Sequence, residues 1–297
     1  MVPDDVVETA VATASAATPT RTRIPAIIIT PRPRATPTPA TVDQPVLDFE
    51  FSPAVPEDER AMIRAGVELT ARYLDRLAGV PTAPVIVFAV DNLSSLGAAQ
   101  KAAGPRGMAL PVEVIGRRLS FSTAESYLDG IFINVSSPVW KAMPAVQRLR
   151  TTSHEYFHVV QMFLMGPERA LRIFSTPGDQ ERPEGPTWLF EGGAEYISWQ
   201  LLESTNLGDM GAHLASLPTT PLSDLRELET YIGYVDEEDK ATTSLRAVDL
   251  LLRQRDGTAL VGFYRLLGQG MTWRTAFTAA FGRTIDAFYE EYRLAYG

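Results

Sequence analysis

The chain reads as an α+β protein: a small sheet near the start of the folded part, followed by a mostly helical C-terminal lobe. Three observations predict this. Two short, strongly apolar runs, "APVIVFAV" and "GIFINV", have strand length and β-branched content. Long stretches with helical apolar spacing dominate everything after Pro144. No internal repeat stands out.

Residues 1–46 stand apart. They are built from Ala, Thr, Pro and Val and include "TPRPRATPTPATV". Proline at nearly alternate positions removes ladder donors and breaks helices, and few aromatics are present to bury. This stretch is expected to be an extended, disordered tail or stalk. Thr/Pro-rich stalks commonly separate a membrane anchor from a surface domain, so an extracytoplasmic or cell-surface setting, with an anchor upstream, is expected. No basic segment followed by an apolar one opens the chain, so no signal peptide is read in it.

Residues 47–297 are read as one domain. "PEDERAMIRAGVELTARYLDRLAG" opens with proline and acids, spaces Ile63, Val67, Leu74 and Leu77 at helical intervals, and stops at Gly79. "APVIVFAV" is a buried strand. A short Gly/Ala helix is expected around 96–103, and "GIFINV" at 130–135 is a second strand, the candidate edge for an extended substrate. The segment 104–129 shows no clear period. "AVQRLRTTSHEYFHVVQMFLMG" has no internal Gly or Pro and ends at Gly166-Pro167, a helix stop. After a loop, Thr187 opens "TWLFEGGAEYISWQLLE", a helix in which Trp188 and Tyr196 read as core residues. Four further helices, separated by glycines, fill the chain from about 240 onward.

Composition narrows the function. Of 297 residues, 45% are apolar and 21% charged, the balance of a globular protein. A net charge of -9 and a pI near 5.0 provide no basic stripe for nucleic acid. The apolar runs are too short to span a bilayer. There is no cysteine, so disulfides, thiol catalysis and thiolate metal sites are excluded. The acidic run "DEED" at 236–239 lacks the glycine and spacing of a calcium loop and reads as a solvated turn.

Within "TTSHEYFHVV", His154 and His158 are four apart, so a helix stacks both imidazoles on one face. With Glu155 they form H-E-x-x-H: two imidazoles to ligate zinc, and a carboxylate to accept a proton from water. A catalytic zinc takes three protein ligands and keeps one position open. With no cysteine, the third must be His213, an Asp or a Glu. The helix with "WLFEGGAEY" offers Glu191 and Glu195, again four apart. One could complete the site while the other accepts the free N–H of a ligating histidine.

"HEYFH" followed by "WLFEGGAEY" resembles the gluzincin metallopeptidases, the clan of thermolysin and the zinc aminopeptidases. The C-terminal run "LLGQGMTWRTAFTAAFGRTIDAFYEEYR" is similar to the helical tail of bacterial peptidase-MA-like proteins. The resemblance implies a zincin-like catalytic domain over 47–297, with one Zn2+ held by His154, His158 and Glu191. It also implies Glu155 as general base and Glu195 as the carboxylate behind a ligand. Tyr231, Tyr234 and His213 are the candidates for the donor opposite the zinc. The spacing from His158 to Glu191 exceeds that of thermolysin, which implies an insertion between the two helices. The aminopeptidase stretch G-A-M-E-N is absent, which favours an endopeptidase acting on peptide or protein substrates. The competing class is a surface or scaffold protein that binds zinc without turnover, and a third is a zinc hydrolase of non-peptide bonds. Glu155 separates enzyme from binding protein.

Overall fold

A computed structural model of the chain describes residues 47–92, 95–98, 124–175, 182–217, 224–230 and 238–296, all within the unit Gln44–Gly297. The tail expected over 1–46 and most of the Gly/Ala helix expected around 96–103 lie outside the described residues.

The protein is mixed helix and sheet, with one four-stranded sheet and a predominance of helix. Strands β1 (Leu47–Phe51), β2 (Val85–Val90), β3 (Ala124–Tyr127) and β4 (Gly130–Asn134) are arranged in the order β1-β2-β4-β3. β1, β2 and β4 run parallel, with Leu47 opposite Val85 and Ile86 opposite Gly130. β3 returns antiparallel to β4 through a tight link in which Leu128 takes φ 49°. Residues 130–135, expected to offer the edge for an extended substrate, therefore do not provide one. β4 is fully buried and hydrogen-bonded on both sides, and the edge beyond it is β3. The reason is visible in the side chains: a strand with Ile131, Phe132 and Ile133 in an unbroken apolar run belongs inside a sheet covered on both faces. Val85, Val87, Ile131 and Ile133 enter the main core, while Ile86, Phe88, Val90 and Phe132 enter a second cluster on the opposite face.

Helix α1 (Glu57–Ala78) links β1 to β2, begins with Glu57, Asp58 and Glu59, and ends at Gly79 in the left-handed conformation. Acids in the first turn and a left-handed glycine beyond the last both favour those ends. Behind β4 come α2 (Pro138–Ala142), α3 (Ala145–Met165) and α4 (Pro167–Ser175). Then follow α5 (Thr187–Ser204), α6 (Met210–Ser216), α7 (Glu238–Leu252), α8 (Thr258–Gly268), α9 (Trp273–Phe281) and α10 (Ile285–Tyr296). α3 is the central element, packed against α1, α5, α8 and β3. Its contact with α1 is close: a Cβ on Gly66 would lie 2.8 Å from Thr152 Cβ.

Candidate metal centre

Two helices build the site, and each has a physical reason to be where it is. α3 is buried along most of its length, including Tyr156, Phe157, Val159, Val160 and Met162. Tyr156 exchanges hydrogen bonds with the backbone of Ala83, pinning α3 to the start of β2. α5 starts at Thr187, where two N–H groups that lack partners in the helix are satisfied from outside it. Thr187 N–H donates to the Glu229 carbonyl at 3.1 Å, and Trp188 N–H to that of Leu228 at 3.3 Å. The expected insertion between the two helices includes a helix of its own, α4, with Ala170 and Ile173 buried.

The histidines expected one turn apart are so placed. Their rings meet edge-on at 4.6 Å, and His158 also stacks on Phe190 of α5 at 4.5 Å. His154 Nε2 and His158 Nε2 are 3.0 Å apart, and Glu191 Oε2 is 3.5 Å from the first and 3.3 Å from the second. Three corners of a tetrahedron around a zinc ion, with bonds of about 2.0–2.1 Å, would be separated by about 3.3 Å. The group formed by His154, His158 and Glu191 can thus hold a metal ion.

The outer nitrogens decide which tautomers are present. His154 Nδ1 faces Glu195 Oε2 at 3.3 Å, and a carboxylate can only accept. His158 Nδ1 faces Gln161 Oε1 at 2.6 Å. The Gln161 amide cannot be turned around, because its Nε2 donates to the Phe190 carbonyl and to the Tyr264 hydroxyl, both at 2.9 Å. Tyr264 in turn donates to the Leu189 carbonyl at 3.4 Å. A neutral imidazole at either position therefore keeps its proton on Nδ1 and aims the Nε2 lone pair inward. Two lone pairs and a carboxylate oxygen converge on one point, an arrangement that only a cation satisfies.

Charge is adjusted accordingly. Burial works against the Glu191 carboxylate, yet the imidazoles of His158 and His154 hold it well below the usual range. Burial likewise opposes ionisation of Glu195, but Arg150 and His154 bring it down to about 2. For His154, burial disfavours the cation, while Glu191 and Glu195 outweigh it and push the imidazole up to about 10. Positive charge is thus favoured at this spot, whether a proton or a metal carries it.

Compared with family models, curated proteins and solved structures, the chain matches none.

Glu155 follows His154 on α3, is partly exposed, and acts electrostatically on that imidazole. Glu195 is held by Arg150 Nη1 and by Trp199 Nε1, the latter at 3.1 Å. His213 is not brought to the triad. Its ring stacks on Trp199 at 4.1 Å, on the far side of Glu195. Tyr231, Tyr234 and the first half of the acidic run lie outside the described residues. Trp188 and Tyr196 are buried, as expected of core residues. Sequence reasoning missed Gln161, Arg150 and Trp199. The helical stripe could have found them: Arg150 precedes His154 by one turn, Gln161 follows His158 by three residues, and Trp199 follows Glu195 by four.

Proposed function

We propose that the protein is a zinc-dependent peptidase of the zincin type, with His154, His158 and Glu191 as ligands of one Zn2+ and Glu155 as general base. The observation that carries this reading is the convergence of two Nε2 lone pairs and one carboxylate oxygen, with both Nδ1 atoms occupied by acceptors. The donor set favours zinc, because two imidazoles and one carboxylate leave a fourth position open. Zinc held there supplies Lewis acidity, polarising a substrate carbonyl and making water acidic enough to lose a proton near neutral pH.

The protein's own residues do the rest. Glu155 accepts the proton of the attacking water on a carboxylate oxygen and delivers it to the leaving amine nitrogen. Glu195 and Gln161 hold the imidazoles at fixed angles, so that neither ring turns its N–H toward the substrate. β3, one of the two edge strands among the described residues and the one that packs against α3, is the strand beside which an extended peptide would pair. His213, Tyr231 and Tyr234 remain the candidate donors to the oxyanion, with His213 the least suited because its ring is stacked on Trp199. The Thr/Pro-rich first 46 residues support a setting outside the cytoplasm. No helix among the described residues is long and apolar enough to cross a membrane.

Metal content by mass spectrometry and peptide hydrolysis, measured on the same preparations, test the proposal. Wild type should hold one zinc per chain and Glu191→Ala little. Glu155→Gln should keep its zinc and lose about 10²–10⁴-fold in hydrolysis. A wild-type chain that stays metal-free in zinc-supplemented buffer ends the proposal. A zinc-loaded chain with no hydrolysis favours the binding protein of the same fold.

A further inference from the structure

A second gathering of oxygen acceptors lies on another face of α5, where α1, α5 and α7 meet. The close contacts of two glycines fix the place. A Cβ on Gly192 would meet Ser244 and Val248 of α7, so Tyr196, one turn further along α5, lies beside the turn of α7 that carries Asp249. A Cβ on Gly257 would come within 2.9 Å of Leu77 and 3.1 Å of Ile197. Asp256 is thereby brought to the same junction, and Tyr73 is one turn before Leu77 on α1. Glu203 continues the stripe of Tyr196 two turns further along α5.

Tyr196 is the observation that points to a ligand. It is only 9% exposed, with its ring in the main core, yet its hydroxyl has no hydrogen-bond partner among the described residues. A polar group so deeply held is normally satisfied. The hydroxyl is aimed at the junction: burial first, then Asp249, Tyr73, Asp256 and Glu203, push it up to about 12. Burial, Asp256 and Glu203 raise Tyr73 as well. Both phenols therefore stay neutral near pH 7 and present an oxygen lone pair beside the carboxylates. Glu203 accepts the Gln200 amide at 3.3 Å and Asp256 the Thr258 N–H at 2.9 Å, which leaves each carboxylate further acceptor capacity. Of the cations at hand, Arg253 is 3.7 Å from Asp249 but gives its Nη2 to the Tyr296 hydroxyl at 2.9 Å. Arg76 acts on Tyr73 from the exposed side of α1.

What the junction lacks is a set of positively charged donors. A single metal ion does not match it: among the described residues, only His154, His158 and Glu191 converge closely enough to share one. Tyr196 and Glu203 are separated by about 10 Å along α5. An elongated cation with several N–H groups spans that distance. One ammonium fits between Tyr196 and Asp249, the next reaches Glu203 or Asp256, and the methylenes between them lie on the half-buried Tyr73 ring. We infer that the junction of α1, α5 and α7 is a binding site for a linear alkyl polyamine, anchored by Tyr196 and Asp249. The site stands apart from the metal centre and does not depend on the peptidase reading.

Titration calorimetry of the full chain with spermidine, at fixed ionic strength, tests the site. Wild type should bind one molecule saturably. Tyr196→Phe removes only the unpartnered hydroxyl, and Asp249→Asn only a charge. Each should weaken binding about tenfold, while thermal melts without ligand stay close to wild type. Glu168→Gln, in the exposed first turn of α4, and Glu191→Ala, at the metal centre, should bind spermidine as wild type does. Mg2+ at equal ionic strength should not displace the amine. Absence of saturable binding, or wild-type affinity in either Tyr196→Phe or Asp249→Asn, overturns the inference. So does displacement by Mg2+ or a loss in Glu168→Gln, either of which would reduce the effect to the general attraction of an acidic surface for cations. Loss of binding in Glu191→Ala would place the amine at the metal centre and overturn it as well.

Discussion

Trp188 and Glu191 are less than one turn apart on α5, yet different forces hold their surroundings together. Trp188 is fully buried, stacks on Phe288 at 5.4 Å, meets Phe277 and Tyr289 edge-on, and donates its indole N–H to the Tyr289 hydroxyl at 3.3 Å. Everything there is favourable as it stands: area removed from water, ring geometry and a satisfied donor. Around Glu191 the groups converge acceptor to acceptor, a carboxylate against two imidazole lone pairs. That cluster stores affinity for a cation and adds little to the fold until one is bound. One helix thus has a cluster that supplies stability as it stands next to a cluster that depends on a bound proton or metal ion.

The largest expected effect breaks the supplying side. Trp188→Ala should cost about 3–5 kcal/mol, because a large ring is lost from a packed site and the Tyr289 hydroxyl loses a partner. Tyr289 also donates to Glu229 Oε1 at 2.7 Å, and Glu229 holds the start of α5 through its backbone carbonyl, so the damage reaches the helix terminus. Urea denaturation of the zinc-loaded and chelator-treated protein measures it. The comparison predicts the same loss in both forms. A loss much larger in one form would show that the two clusters are coupled.

Next in size is a contrast between neighbouring glycines. A Cβ on Gly192 would come within 2.4 Å of the Ser244 carbonyl oxygen, so α5 and α7 would have to part. Alanine gains up to about 1 kcal/mol of helix propensity there, but forcing packed backbone apart costs about 1–3 kcal/mol, and the collision should win. On Gly193 the nearest atom, Gln161 Nε2, is 3.5 Å away, an ordinary contact. Gly193→Ala should therefore be neutral or stabilising by up to about 1 kcal/mol. Thermal melts of the two variants side by side read the sign. Equal destabilisation of both would mean that the tight approach of α7 is not what Gly192 serves.

What was legible in the sequence divides along the same physical line. Helices with strong apolar periodicity and glycine stops, such as α1, α3 and the C-terminal set α7 to α10, lie close to where periodicity and stops predict them. His154, His158, Glu191 and Glu195 converge because their four-residue spacing survives any rigid packing of two helices. β1 and β3 were not legible: "LDFEF" and "AESY" are short and half-polar, and only pairing with β2 and β4 makes them strands. α2 and α6 are likewise too short for a period to emerge, and α4 hides directly behind the Gly166-Pro167 stop. Gln161 escaped notice because a glutamine in mid-helix is ordinary. Only the partners of its amide nitrogen, one on α5 and one on α8, turn it into a fixed acceptor for His158.

That fixed acceptor supplies the prediction that sharpens the cation-dependent side. Gln161→Leu removes the oxygen facing His158 Nδ1, frees the ring to flip, and should weaken zinc binding about 10–100-fold, the usual effect of losing a ligand's outer partner. Competition against a chromophoric chelator measures this directly. The fold should suffer less than in Trp188→Ala, since leucine keeps the volume although the Phe190 carbonyl and Tyr264 hydroxyl lose a donor.

The smallest effect belongs to Arg150→Met. Glu195 has two supports, the Arg150 guanidinium and the Trp199 N–H, and both Arg150 and Glu195 reach solvent, with side chains 23% and 19% exposed. A pair of that kind contributes up to about 1 kcal/mol, so zinc affinity should fall by less than about fivefold in the same chelator competition. Methionine keeps the apolar stem but gives up the guanidinium carbon that lies 5.5 Å over the Trp199 ring. Salt distinguishes this effect from that at Gln161. The Arg150 contribution should shrink further at 1 M salt, where a partly exposed ion pair is screened, whereas the effect of Gln161→Leu should not change. Equal and salt-independent losses at the two positions would mean that His154 and His158 are held in the same way, and that the charge on Arg150 adds nothing to the site.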